Sequence, residues 1–117
     1  MATDAHDLYK LSRDLERLAL SIEEIGPELA KAKAIRDFDG DRRKNLLAEF
    51  VSPLLYNHSA TAAESVARAN PEFQTRFKTL SADLMAAYVT IAKESGLQAR
   101  FEAARSILSV TKAQLSL

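Results

Sequence analysis

Leu8, Leu11, Leu15, Leu18, Ile22 and Ile25 follow one another at steps of 3, 4, 3, 4 and 3 residues. That spacing places them on one face of an α-helix, as in a coiled-coil-type seam. It predicts a first helix over about 4–25, with Thr3 or Asp4 as its cap and Asp7 supplying negative charge that suits the helix dipole. Gly26-Pro27 is expected to end it, because glycine accepts the left-handed cap and proline cannot continue the hydrogen-bond ladder. Pro27 can then open a second helix over about 28–52. Leu29, Ala32 and Ile35 carry its apolar stripe, Gly40 interrupts it, and Leu46, Leu47, Phe50, Val51, Leu54 and Leu55 resume it. Pro53 should kink or bound this part.

The segment YNHSAT, 56–61, is polar and predicts a turn. Thr61-Ala62-Ala63-Glu64 has the form of a capping box and predicts a short helix over about 60–69 that buries Ala63, Val66 and Ala67. Asn70-Pro71 pairs a cap with a favoured first-turn proline. Phe73, Phe77, Leu80, Leu84, Ala87 and Ile91 then mark a helix over about 71–95. Ser95-Gly96 is the expected break before a final helix over about 97–115. There Leu97, Phe101, Ala104, Leu108 and Leu115 share one line, in a heptad phase shifted from the preceding one. Ala99, Ala103, Ile107, Val110 and Leu117 lie on a different side. A helix apolar on two faces must bury both, since each fully buried Leu or Ile contributes roughly 1.5–3 kcal/mol. Either this helix lies at the centre of its own bundle, or Ile107, Val110 and Leu117 contact another copy of the chain. No segment alternates with a period of two. The expectation is an all-α fold of helical hairpins or a bundle with heptad-like seams, compact or elongated, in a single helical domain over 1–117 that forms a homo-oligomer.

Composition narrows the chemistry. The 117 residues include 3 Gly, 3 Pro and no Cys, which favours helix and removes disulfide and thiolate chemistry. MATDAHDLYK has no basic leader followed by an apolar run, and no apolar stretch approaches a membrane span, so a cytoplasmic protein without membrane contact is expected. The 16 Lys and Arg balance the 16 Asp and Glu. That balance argues against strong non-specific nucleic-acid binding, which needs an excess of positive surface. Residues 1–58 hold eleven acids against nine bases, and residues 59–117 hold five against seven.

The stretch AIRDFDGDRRKNLL, 34–47, concentrates the candidate chemistry. Counted as a calcium loop from Asp37, it has carboxylates at positions 1, 3 and 5. However, Arg42 stands where the sharp turn needs Gly and Ala48 where a bidentate Glu is needed, so no metal is expected there. His6 and His58 are too far apart in sequence to suggest a close ligand pair, Asn57-His58-Ser59 does not form a triad by adjacency, and no glycine-rich phosphate loop is present. No enzyme activity and no cofactor are expected. The stretch reads best as a helix–turn–helix junction whose aspartates cap and solubilise the turn. Its bases, Arg42, Arg43 and Lys44, are the densest positive cluster, and by charge alone they read as a salt-bridged helix start with Asp37, Asp39 and Asp41 as partners. With Arg105 and Lys112, seven apart on one face, they are the candidate phosphate contacts. Phe73, Phe77 and Phe101 lie on apolar seams and read as core rather than as stacking platforms.

ELAKAKAIRD, the acidic-Gly turn running into DRRKNLL, AESVARA, and the closing ARFEAARSILSVTKAQ together resemble a family of small helical phage and prophage proteins, the phage recombination mediators, over about 28–117. The resemblance implies a homo-oligomeric accessory that binds single-stranded DNA and helps load a recombinase onto DNA covered by single-strand-binding protein. Arg42, Arg43 and Lys44 would be its basic residues and the closing helix its self-association element. The neutral net charge and the leucine seam of the leading helix depart from that pattern. The competing expectation is a helical protein–protein adaptor, or a phage inhibitor of a host complex, that touches no nucleic acid.

Overall fold

The computed structural model describes residues 5–116. Among them all regular structure is helical: α1, Ala5–Val51; η1, a 3-10 turn over Ser52–Tyr56; α2, Ala60–Ala69; and α3, Pro71–Leu115. The fold is all-α, as the periodicity predicts. The expected caps Thr3 and Asp4 and the expected contact residue Leu117 lie outside the described residues.

Three expected breaks are absent. α1 runs through Gly26-Pro27 and through Gly40, and α3 runs through Gly96. None of the glycines has a positive φ, so none serves as a left-handed cap. Pro27 removes one backbone donor from the interior of α1, at a cost of about 3 kcal/mol. Ile25 and Ala32 on either side of it are buried at 6% and 4% exposure, and that packing outweighs the lost bond. The phase shift near Gly96 is absorbed without a break. The partly covered positions Ile91, Glu94, Leu97 and Phe101 follow at steps of 3, 3 and 4, so the seam rotates around an intact helix.

Where the sequence signals are specific caps, they hold in part. Asn70 Oδ1 accepts from the Glu72 N–H at 2.8 Å and Pro71 opens α3. Pro53 stands at the start of η1 and bounds α1. α2, however, is capped by Ser59, which has extended backbone angles and accepts from the Ala62 N–H at 3.3 Å. Thr61 is already helical, and Glu64 pairs with Arg68 one turn on at 2.9 Å rather than reaching back. Ala63 and Ala67, four apart, are buried, whereas Val66 is 45% exposed because so short a helix has only one packed face.

The contacts fall into two compact units. Unit 1 comprises Met1–Ala30 and Thr90–Leu117. In it α1 and α3 pair antiparallel: Ile25 and Glu28 lie by Lys93 and Leu97, and Leu11 and Leu18 lie by Ala103 and Ile107. The apolar seam is thinly covered. Leu8, Leu11, Leu15, Leu18 and Ile22 are only half-buried, as are Ile91, Leu97, Phe101 and Leu108 on the facing helix, and Ile25 alone among the large apolar side chains there is buried.

Unit 2 comprises Lys31–Val89 and is better filled. α1 and α3 again run antiparallel, α2 packs on η1, and the buried set is Ala32, Leu46, Ala63, Ala67, Phe73 and Ala87. Phe73 joins two neighbours into an aromatic run. Its ring centroid lies 5.7 Å from Phe50 in an edge-on arrangement and 5.7 Å from Phe77. Phe73 and Phe77 are thus core residues, as their place in the seam implies.

Candidate functional site

The stretch 34–47 is an uninterrupted part of α1. The expected helix–turn–helix junction does not exist. Successive residues there point about 100° apart, so Asp37, Asp39 and Asp41 do not converge as loop ligands would. Among the described residues no three His, Asp or Glu side chains form a cluster able to hold a metal ion.

The helix sends the basic residues in different directions. Arg43 turns toward α3. Its Nε donates to Asp39 Oδ2 at 2.9 Å, its Nη2 donates to Ser81 Oγ at 3.2 Å, and its guanidinium lies 4.5 Å from the centre of the Phe77 ring. Ser81 in turn donates to the Phe77 carbonyl one turn back at 3.2 Å. The Arg43 and Asp39 side chains are only 24% and 17% exposed, and Asp39 Oδ1 is buried with no protein partner. Arg42 donates to Asp83 on α3 at 3.3 Å, in a pair about 40% exposed on both sides. Of the three bases in this stretch, Arg42 and Arg43 therefore already hold carboxylates of unit 2, and Lys44 is exposed.

One turn toward η1, Arg76 grips Glu49 through both nitrogens, at 3.0 and 2.9 Å, and lies 5.7 Å from the Phe50 ring. The Arg76 hydrogen bonds hold the Glu49 carboxyl below its ordinary value, and the same bonds raise Arg76. Arg42, Asn45, Glu49, Arg76 and Thr79 rim an open groove of about 430 Å³ with Leu46 and Leu80 in its floor. Both of its guanidinium groups are matched by carboxylates, so the groove carries little free positive charge.

Unit 1 presents a different surface. Ile107 and Val110 are 53% and 59% exposed, and Ala99 and Ala103 are exposed in line with them. Beside that line a shallow groove of about 540 Å³ runs between the helices, lined by Leu11, Leu18, Ala103, Ala104 and Ile107, with Asp14, Arg17 and Arg100 at its edge. A second groove on unit 1 is walled by Glu24 and Glu28 from α1 and by Lys93 from α3. Arg105 pairs with Glu102 at 3.2 Å in an exposed contact, and Lys112 is exposed. The two candidate phosphate contacts of the closing helix, Arg105 and Lys112, therefore lie in the open on unit 1, whereas Arg42, Arg43 and Lys44 belong to unit 2.

Sequence reasoning singled out Ile107 and Val110 but placed Leu11 and Leu18 wholly inside a seam, where they also line a groove. It offered Asp37, Asp39 and Asp41 as partners of the bases, of which Asp39 holds Arg43, and it missed Ser81 and Asp83. The available signal was register: polar residues such as Ser81 and Asp83, flanking an apolar stripe, stand beside the facing helix and not in open solvent. No protein-family model, no curated protein and no solved structure matches this chain. Among the described residues no helix is long and apolar enough to cross a membrane.

Proposed function

We propose that this chain is a non-enzymatic helical interaction module, which works by lending the groove face of unit 1 to another helical surface. The observation that carries the reading is the exposure of Ile107 and Val110 beside an apolar groove, in a unit whose own seam is half-covered. Exposed aliphatic side chains clustered on one face mark contact surfaces, whereas singly scattered ones do not. The chain has no cysteine, so Ile107→Cys introduces a unique thiol. Alkylation of that thiol should be slow in cells and fast in dilute purified protein, while a Glu16→Cys control on the outer side of α1 reacts quickly in both. Equal rates at the two positions in cells would refute the reading.

A second reading, single-stranded-DNA binding in phage-type recombination, draws support from the exposed Lys44, Arg105 and Lys112. A gel shift with single-stranded DNA at low and moderate salt tests it, since phosphate contacts weaken steeply as salt rises. Arg105→Ala with Lys112→Ala is the informative variant, because it leaves the arginines that hold unit 2 together untouched. Affinity equal to wild type would remove these two residues from the site.

A further inference from the structure

We infer that the occupant of the unit 1 face is a second copy of the same chain, docked so that α1 of each copy lies on α3 of the other in a four-helix arrangement. The inference rests on the interaction reading above and names its partner.

Two observations select a second copy. The first is uncovered apolar surface. Unit 1 is where large apolar side chains are half-covered in greatest number. Two helices side by side cover each other along one line only. A second pair laid on them covers the adjoining quarter of each helix, which here carries Leu11, Leu18, Ala103 and Ile107.

The second is charge. Within unit 1 the α1 segment 5–30 carries six acids against three bases, and the α3 segment 90–116 carries four bases against two acids. One groove repeats this division, with Glu24 and Glu28 on the α1 side and Lys93 on the α3 side, while in the other Asp14 and Arg17 balance on α1 and Arg100 stands on α3. Stacking α1 on α1 and α3 on α3 would set like charge against like. Rotating the second copy about an axis parallel to the helices sets Glu24 and Glu28 of each copy on Lys93 of the other. The surface is thereby its own complement, as a twofold contact requires. The opposed charges favour the α1-on-α3 pairing over its rival.

Light scattering on the purified full-length chain should give twice the 12.9 kDa chain mass. Lys93→Glu with Arg100→Glu should weaken the dimer at least about tenfold at low salt. Adding Glu24→Lys and Glu28→Lys to that variant should restore it, with circular dichroism reporting helix throughout. Should the first variant lose its helix, single-cysteine chains give the same information. Glu28→Cys and Lys93→Cys should form a mixed disulfide when combined, and neither should do so with itself. A wild-type monomer at micromolar concentration overturns the inference, as does a Lys93→Cys chain that couples preferentially to itself. A chain that stays monomeric yet shields the Ile107→Cys thiol in cells overturns the second copy alone and leaves the interaction reading in place. A chain that does neither overturns both.

Discussion

Arg43→Ala is the sharpest test of how unit 2 is held. In the native chain the Arg43 guanidinium makes a 2.9 Å charged hydrogen bond to Asp39, a 3.2 Å bond to Ser81 and a stack 4.5 Å from the Phe77 ring centre. A partly desolvated cation–π contact contributes about 1 kcal/mol. Hydrogen bonds of this kind contribute about 1 kcal/mol each. Asp39 is the decisive term. One of its oxygens is already buried without a partner, and the side chain is only 17% exposed, so loss of Arg43 strands a largely desolvated carboxylate. Removing one member of such a pair costs more than the pair contributes. The expected loss is about 2–4 kcal/mol, which for a chain of this length lowers Tm by roughly 8–16 °C. The assay is thermal or urea unfolding by circular dichroism at fixed chain concentration, because association shifts apparent stability. Arg43→Lys keeps the charge but loses the fork and the stack, and should fall between. Asp39→Ala with Arg43→Ala should cost clearly less than the sum of the single changes, with a coupling of about 1 kcal/mol or more. An Arg43→Ala variant within about 0.5 kcal/mol of wild type, or strictly additive single changes, would refute the reasoning.

Three further outcomes follow from other parts of the fold. Gly40→Ala should stabilise by about 1 kcal/mol in urea unfolding, because Gly40 is helical, has no positive φ, and has open space where the methyl would go. A destabilised Gly40→Ala chain would mean that α1 does turn there. Ser59→Ala should cost about 1 kcal/mol and Thr61→Ala far less, since Ser59 and not Thr61 caps α2. Equal losses would contradict that assignment. Glu49 has its folded pKa lowered by Arg76, so its contribution is fully present above the unfolded glutamate value of about 4.3 and is lost as pH falls through the lower folded value. The stability gap between wild type and Glu49→Gln should close over that acidic window, and a gap unchanged by acid would remove the pair from the account.

Helix identity was legible because it depends on period, and period survives any tertiary context: every seam residue from Leu8 to Leu108 lies in an α- or 3-10 helix. Helix termination was legible only where a side chain must do something local. Asn70 caps, Pro71 follows, and Pro53 bounds α1, all through bonds made within a few residues. At Gly26-Pro27, Gly40 and Gly96 the local cost is roughly 1–3 kcal/mol, and distant packing decides whether the chain bears it. That packing comes from the facing helix, tens of residues away in sequence. The arginine cluster was partly legible for the same reason. The pairing of Arg43 with Asp39 lies within one turn of helix, whereas Asp83 and Ser81 come from the opposite helix.

Function in such a chain depends on where free charge and free apolar surface lie, not on their totals. Arg42, Arg43 and Arg76 each hold a carboxylate in unit 2, which turns the densest basic stretch into a brace between α1 and α3. Unit 1 lacks such a brace. In one groove Glu24 and Glu28 stand on α1 and Lys93 on α3, and Ile107 and Val110 are left in water beside the other. A two-helix pair that had evolved to stand alone would have filled those exposed positions with Lys, Glu or Gln, which keep helix propensity and lose nothing by exposure. Retaining Ile and Val there, each a poorer helix former than the polar substitutes, is physically reasonable only if something covers them.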